Sequence, residues 1–320
     1  MIRLFSSIGL LAALLTPTMQ LPAGAAAHLA ADGDLIAVTD QNYDNLPAAR
    51  IRVMDPVVYD WNTAAAQTWS WSPTSANGFS DLTSAWGLPS DAKLRLKSGS
   101  SVALVADSRG LAALISYPAG QRIWGVNVGA ANNPHSVEML PNGNVAVAAS
   151  AGGFIRLYAA SQGSSTATYA SYPLPDAHGV QWDPTNKVLW ALGGDQLVPL
   201  TVGGTAAAPT LSGGNPITLP TAGGHDLTPV LTNSDRLWVS TGSKVYQVSK
   251  SSRTVVATYD QAGIKSISSK ANGQEVRTSP KSGCRTTWCT DTVSFAAPAA
   301  TRTLTGAQIY KARVWSSRYE

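Results

Sequence analysis

One unit recurs along this chain at intervals of 40 to 47 residues, and that period constrains the fold more than any other feature. The unit is a turn, a histidine or basic residue, an alternating strand, a tight turn and a more apolar strand. His135 opens HSVEMLPNGNVAVAAS, His178 opens HGVQWDPTNKVLWALGG and His225 opens HDLTPVLTNSDRLWVSTG. Lys93 opens KLRLKSGSSVALVADS and Lys265 opens KSISSKANGQEVRTSP. Openings at 93, 135, 178, 225 and 265 have the spacing of a four-stranded propeller blade. Third and fourth strands follow, such as FIRLYAA then ATYASYPL, and Asn-Gly at 142–143 and 272–273 supplies hairpin turns. Val, Leu, Ile, Trp and Tyr dominate the strands, with only partial polar alternation, as expected where both faces pack against other blades.

The two ends of the chain together give a sixth unit. DLIAVTD, ARIRVMD and TWSWSP read as second, third and fourth strands, and the missing first strand reappears near the C-terminus as YKARVW, with Lys311 in the repeat position. The expected fold is therefore all-β: a propeller of six four-stranded blades, its C-terminal strand completing the first blade and leaving no open sheet edge. Charged residues at only 13%, with 28 Gly and 19 Pro, fit short strands and frequent turns, and no long stretch shows helical periodicity. Two stacked β-sandwiches are the competing architecture, and the regular period argues against them.

Residues 1–27 read as a secretory signal: Arg3, an apolar stretch from Ile8 to Leu15, and Ala-x-Ala sites ending at Ala25 and Ala27. Residues 28–320 then form a single secreted, extracellular propeller domain, expected to be a monomer. A membrane anchor is disfavoured because the apolar run is short and Pro17 and Pro22 interrupt it. The formal charge of +4 is mild and evenly spread, which argues against a nucleic-acid partner. Cys284 and Cys289 enclose Arg-Thr-Thr-Trp and fit a local disulfide in an exported protein, expected to staple a loop and to matter little to any ligand site.

In ring order the repeat positions are Lys311, Lys93, His135, His178, His225 and Lys265. Histidines and lysines each fall consecutively, at the phase where a blade's first strand meets the central channel. Three lysines at one mouth repel one another unless a ligand or carboxylates such as Glu138, Asp226 or Asp176 offset them. Two chemistries follow. His135, His178 and His225 together can bind a divalent metal such as Zn or Mn. Alternatively, one histidine exchanges protons while Lys93, Lys265, Lys311, Arg95 and Arg313 hold an anion. The two arginines have a second reading, as side chains buried and paired with carboxylates. Trp61, Trp69, Trp71 and Trp86 could stack on sugars, but TWSWSP alternates like a buried strand. His28 as the first mature residue would bind copper.

The segments NPHSVEMLPNGNVAVAAS, AHGVQWDPTNKVLWALGG, GGHDLTPV and the terminal TDTVSF and IYKARVW resemble those of a group of secreted bacterial propeller proteins of unknown function. More loosely, a basic, histidine-rich mouth is similar to polysaccharide lyases built on propellers. That resemblance implies a carbohydrate-active protein binding an anionic, uronate-type sugar and cleaving it by β-elimination. The alternatives are a non-catalytic propeller binding an acidic glycan or protein partner, and a metal-dependent hydrolase or oxidase.

Overall fold

In the computed structural model, residues 32–320 are described; the expected export signal and His28 lie outside them. Six antiparallel sheets form the blades of a propeller. Blade 1 joins Gln308–Val314 to Ile36–Gln41, Arg50–Met54 and Gln67–Trp71, so the C-terminal strand completes it as the repeat predicts. Ile36 pairs with Val314 and Gln41 with Gln308. Blades 2 and 3 begin at the inner strands Pro89–Lys97 and Pro134–Met139, and blades 4, 5 and 6 at Gly179–Asp183, Asp226–Pro229 and Ser266–Ser269. Blade 4 carries an extra strand, Ile217–Thr218, against Gln196 and Leu197, within the longest repeat interval.

Each blade packs on the next through its own apolar cluster, and six clusters fill the six interfaces. Trp61, Trp71 and Trp86 are buried in two of these clusters, while Trp69 stacks on Trp315 with centroids 6.2 Å apart. Trp61, Trp71 and Trp86 are therefore core, and Trp69 packs half-buried at its edge. The apolar residue two places after His135, His178, His225 and Lys265 fixes the phase of the inner strands, and Ala92 and Ala312 stand at the same level in blades 2 and 1. Ala92, Val137, Val180, Leu227, Ile267 and Ala312 are all buried at this level. Counting back two places gives Ser90, His135, His178, His225, Lys265 and Tyr310 as the residues of one ring. Lys311 therefore lies one place deeper than the repeat reading puts it, and Lys93 three places deeper.

The C-terminal tail crosses the opposite end of the channel. Arg95 lies over the Tyr319 ring at 4.5 Å, Gln181 Nε2 donates to the Tyr319 carbonyl, and Glu320 bonds Thr185 and Lys250. A void of about 40 Å³ bordered by Lys93, Arg95, Gln181, Arg313 and Arg318 remains above it, room for a water or two. Among the described residues no helix is long and apolar enough to cross a membrane.

Candidate functional site

The histidine mouth is built by local backbone irregularity. The inner-strand ladders of blades 2, 3 and 1 shift register at Ser90, at His135 and between Ile309 and Ala312. A bulge of this kind re-aims a side chain at the end of a strand. His135 and His178 stand with ring centroids 4.5 Å apart, and His178 and His225 4.7 Å apart. Tyr310, which the repeat reading missed, packs edge-on to both His135 and His225, and its hydroxyl lies 2.9 Å from His225 Nε2. A cavity of about 310 Å³ opens here, walled by His135, His225, Lys265, Tyr310, Tyr43 and Trp288 among others. His178 backs the two neighbouring imidazoles and is not part of that wall.

Hydrogen bonding fixes two tautomers. Nδ1 of His135 lies 2.9 Å from the Asn133 carbonyl, and Nδ1 of His178 lies 2.9 Å from the Asp176 carbonyl. A carbonyl only accepts, so each Nδ1 carries a proton, and in the neutral His135 ring Nε2 keeps its lone pair. Asp176 also places a carboxylate oxygen 3.2 Å from His178 Nδ1. Burial, then His178, then Lys311 hold His135 well below the usual histidine range. Burial, His178, Lys265 and Lys311 do the same for His225. Tyr310 is pushed well above the usual phenol range by burial and then by Asp226, so it keeps its proton, and its hydroxyl is hydrogen-bonded to His225 Nε2.

Lys93, Arg95, Lys311 and Arg313 are not at this mouth. They lie in the channel beneath it, buried with Asp91, Glu138 and Asp226. Arg313 forks onto Asp226 at 2.5 and 2.6 Å and reaches Asp91 at 3.0 Å. Arg95 forks onto Glu138 at 2.8 and 2.7 Å. Lys311 Nζ is 3.1 Å from Asp226, and Lys93 Nζ is 3.3 Å from Glu138 and 2.5 Å from the Val180 carbonyl. The paired reading of the two arginines is the one the structure displays, and the same pairing takes both lysines. A strand residue displaced by one position faces the other way, and Lys311 is displaced by one. Burial is the largest influence on Asp226 and raises it, but Arg313 and Lys311 overcome it and hold the carboxyl low. Four cations face three carboxylates, leaving a surplus of one positive charge below the cavity. Lys265 does line the mouth, and among the described residues it has no ion-pair partner.

Cys284 and Cys289 are disulfide-bonded. Their loop does bear on the site, contrary to the expectation of a remote staple, because Trp288 between them lines the cavity. Among the described residues no group of three or more His, Cys, Asp or Glu is placed to hold a metal ion. His225 Nε2 is taken by Tyr310, so the three imidazoles do not offer one shared point.

Neutral, buried histidines make stability depend on pH. The unfolded chain binds protons below about pH 6.5 that the folded state refuses, so stability should fall as pH drops from about 7 to about 5. His135 contributes up to ~1.4 kcal/mol per pH unit and His225, open on its cavity side, less. The depressed Asp91, Glu138 and Asp226 add a second loss only below about pH 4. Urea unfolding across this range should show the first slope, and His135→Gln should reduce it. A flat profile between pH 7 and 5 would mean the imidazoles are not held neutral.

Among solved structures, the chain is similar to a protein of unknown function from Bacteroides caccae, with a TM-score of 0.56 and 10% identity over 87% of this chain and 97% of that one. It is also similar to the hydrazine synthase of Kuenenia stuttgartiensis, with a TM-score of 0.46 and 12% identity over 68% of this chain and 66% of that one. The first likeness shows the fold alone. No curated protein matches the chain. Residues 9–317 match a family model across nearly the whole length, and the chain accordingly belongs to the family of unknown function DUF6528.

Proposed function

We propose that the protein is a secreted carbohydrate-active protein that binds an anionic, uronate-type sugar at the histidine mouth and cleaves it by β-elimination. The observation that carries this reading is one cavity bordered by a neutral histidine with a bare Nε2, a protonated tyrosine and an unpaired lysine. Lys265 pairs with the sugar carboxylate, and the surplus positive charge beneath the cavity helps to stabilise the charge that develops beside it. His135 Nε2 takes the proton from the carbon next to the carboxylate. The electron pair of that C–H bond forms a carbon–carbon double bond as the glycosidic C–O bond of the adjacent carbon breaks. Tyr310 donates its proton to the departing oxygen and is hydrogen-bonded to His225 meanwhile.

Equilibrium titration with uronate and neutral oligosaccharides tests the binding half, and the ultraviolet absorbance of the unsaturated product tests the chemistry. Uronates should bind at least about tenfold more tightly than neutral sugars, with the gap narrowing at high salt. Equal affinity at low salt defeats the anionic reading, and tight binding without product leaves a non-catalytic glycan binder. A second reading, a divalent ion such as Zn or Mn on His135 and His178, is favoured by their Nδ1–H···O=C bonds, the arrangement common to metal-ligating histidines. Elemental analysis of the purified protein decides it.

A further inference from the structure

We propose that Tyr43 and Trp288 form a stacking subsite for a sugar ring, next to the ring that meets the histidine–tyrosine cluster. This rests on the proposed function and names the part of the cavity that reads the neighbouring sugar.

Trp288 is 36% exposed, although tryptophan is highly buried on average. Its polar edge is already satisfied, since Nε1–H donates to Gln41 Oε1 at 3.2 Å. What remains open is an apolar ring surface on the cavity wall. Tyr43 stands edge-on to it, with centroids 5.9 Å apart and planes at 66°, so the two rings make a corner. Several bonds hold that corner in place. The disulfide closes the loop on either side of Arg-Thr-Thr-Trp, with Cys289 fully buried. Arg285 pairs with Asp44 at 2.8 Å, and Gln308 Oε1 accepts from the Tyr43 amide at 3.1 Å. Such rigid, half-open aromatic groups beside a few convergent polar groups are characteristic of a ligand pocket. A pyranose presents one apolar face of C–H groups and a polar rim, which matches a ring wall beside Lys265, His135 and Tyr310.

Calorimetric titration of a uronate trisaccharide, a neutral trisaccharide and inorganic sulfate into the wild type and its variants tests the proposal. Trp288→Ala should weaken the uronate trisaccharide about tenfold or more and leave sulfate unchanged. Trp288→Phe should restore most of the affinity, and an unchanged melting temperature confirms that the loop still folds. Lys265→Ala should weaken both anions. If Trp288→Ala binds the trisaccharide like the wild type while Lys265→Ala does not, the stacking subsite is wrong and the anionic site stands. If only the neutral trisaccharide binds, and Trp288→Ala weakens it, the subsite stands and the anionic reading is wrong. Binding of neither trisaccharide by the wild type overturns both.

Discussion

Asp226→Ala should cost about 3–5 kcal/mol of stability, the range seen when one partner of a buried ion pair is removed. That is a large share of the roughly 5–15 kcal/mol that holds a typical protein folded. Asp226 is fully buried and serves three donors at once: the Arg313 fork, the Lys311 ammonium and the Ile267 amide at 2.8 Å. Without it, Arg313 keeps Asp91, Lys311 keeps the His135 carbonyl at 3.4 Å and the Tyr310 ring face at 5.7 Å, and the buried positive surplus doubles. Asp226→Asn should be nearly as damaging, because it preserves shape but not charge. Urea unfolding monitored by tryptophan fluorescence gives the number. A loss below about 1 kcal/mol would place the pair in the class of solvent-screened ion pairs and undo this account of the channel.

Tyr310→Phe should lower turnover on a cleavable uronate by about 10²–10⁴-fold while leaving KM within a few-fold, the usual signature of a lost proton donor. The ring packing against His135 and His225 survives this change, so stability should drop by only about 1 kcal/mol, the worth of one hydrogen bond. His135→Ala should produce a loss of the same order, and the two losses should not add, because both groups act in one elimination. Turnover retained in Tyr310→Phe would remove the phenol from the chemistry. Comparable loss of binding and turnover would make it a ligand contact instead.

The six blades and their closure were legible because the repeat carries them: hairpin turns, apolar strands and the displaced YKARVW strand all agree on one period. The three histidines were legible for the same reason, since each precedes a buried Val or Leu by two residues. Lys93 and Lys311 misled because the alignment followed positive charge, when the burial that sets strand phase follows Ala92 and Ala312. Anchored on those alanines, the sequence would have pointed to Ser90 and Tyr310. Asp91, which pairs Arg313 and accepts from Ser136, was hidden by the same slip. Nothing in the repeat could reveal Tyr43 and Trp288, which lie in connections outside the inner strands and meet only when blades 6 and 1 close the ring.

The closing pair also decides how the molecule responds to tension. Ile36 faces Val314, so the first strand begins and the last strand ends side by side, at one end of an antiparallel pair, and the C-terminal tail runs on from there across the channel. A pull applied at both of these strand ends loads the hydrogen bonds singly, in sequence from Ile36 toward Gln41, and never all together in shear. Such a joint peels at lower force than one loaded in shear. Anchored at both ends to separate bodies, the propeller would open at this seam from its Ile36 end, and the contacts of Gln41, Tyr43 and Gln308 beside the cavity would be the last of the seam to part.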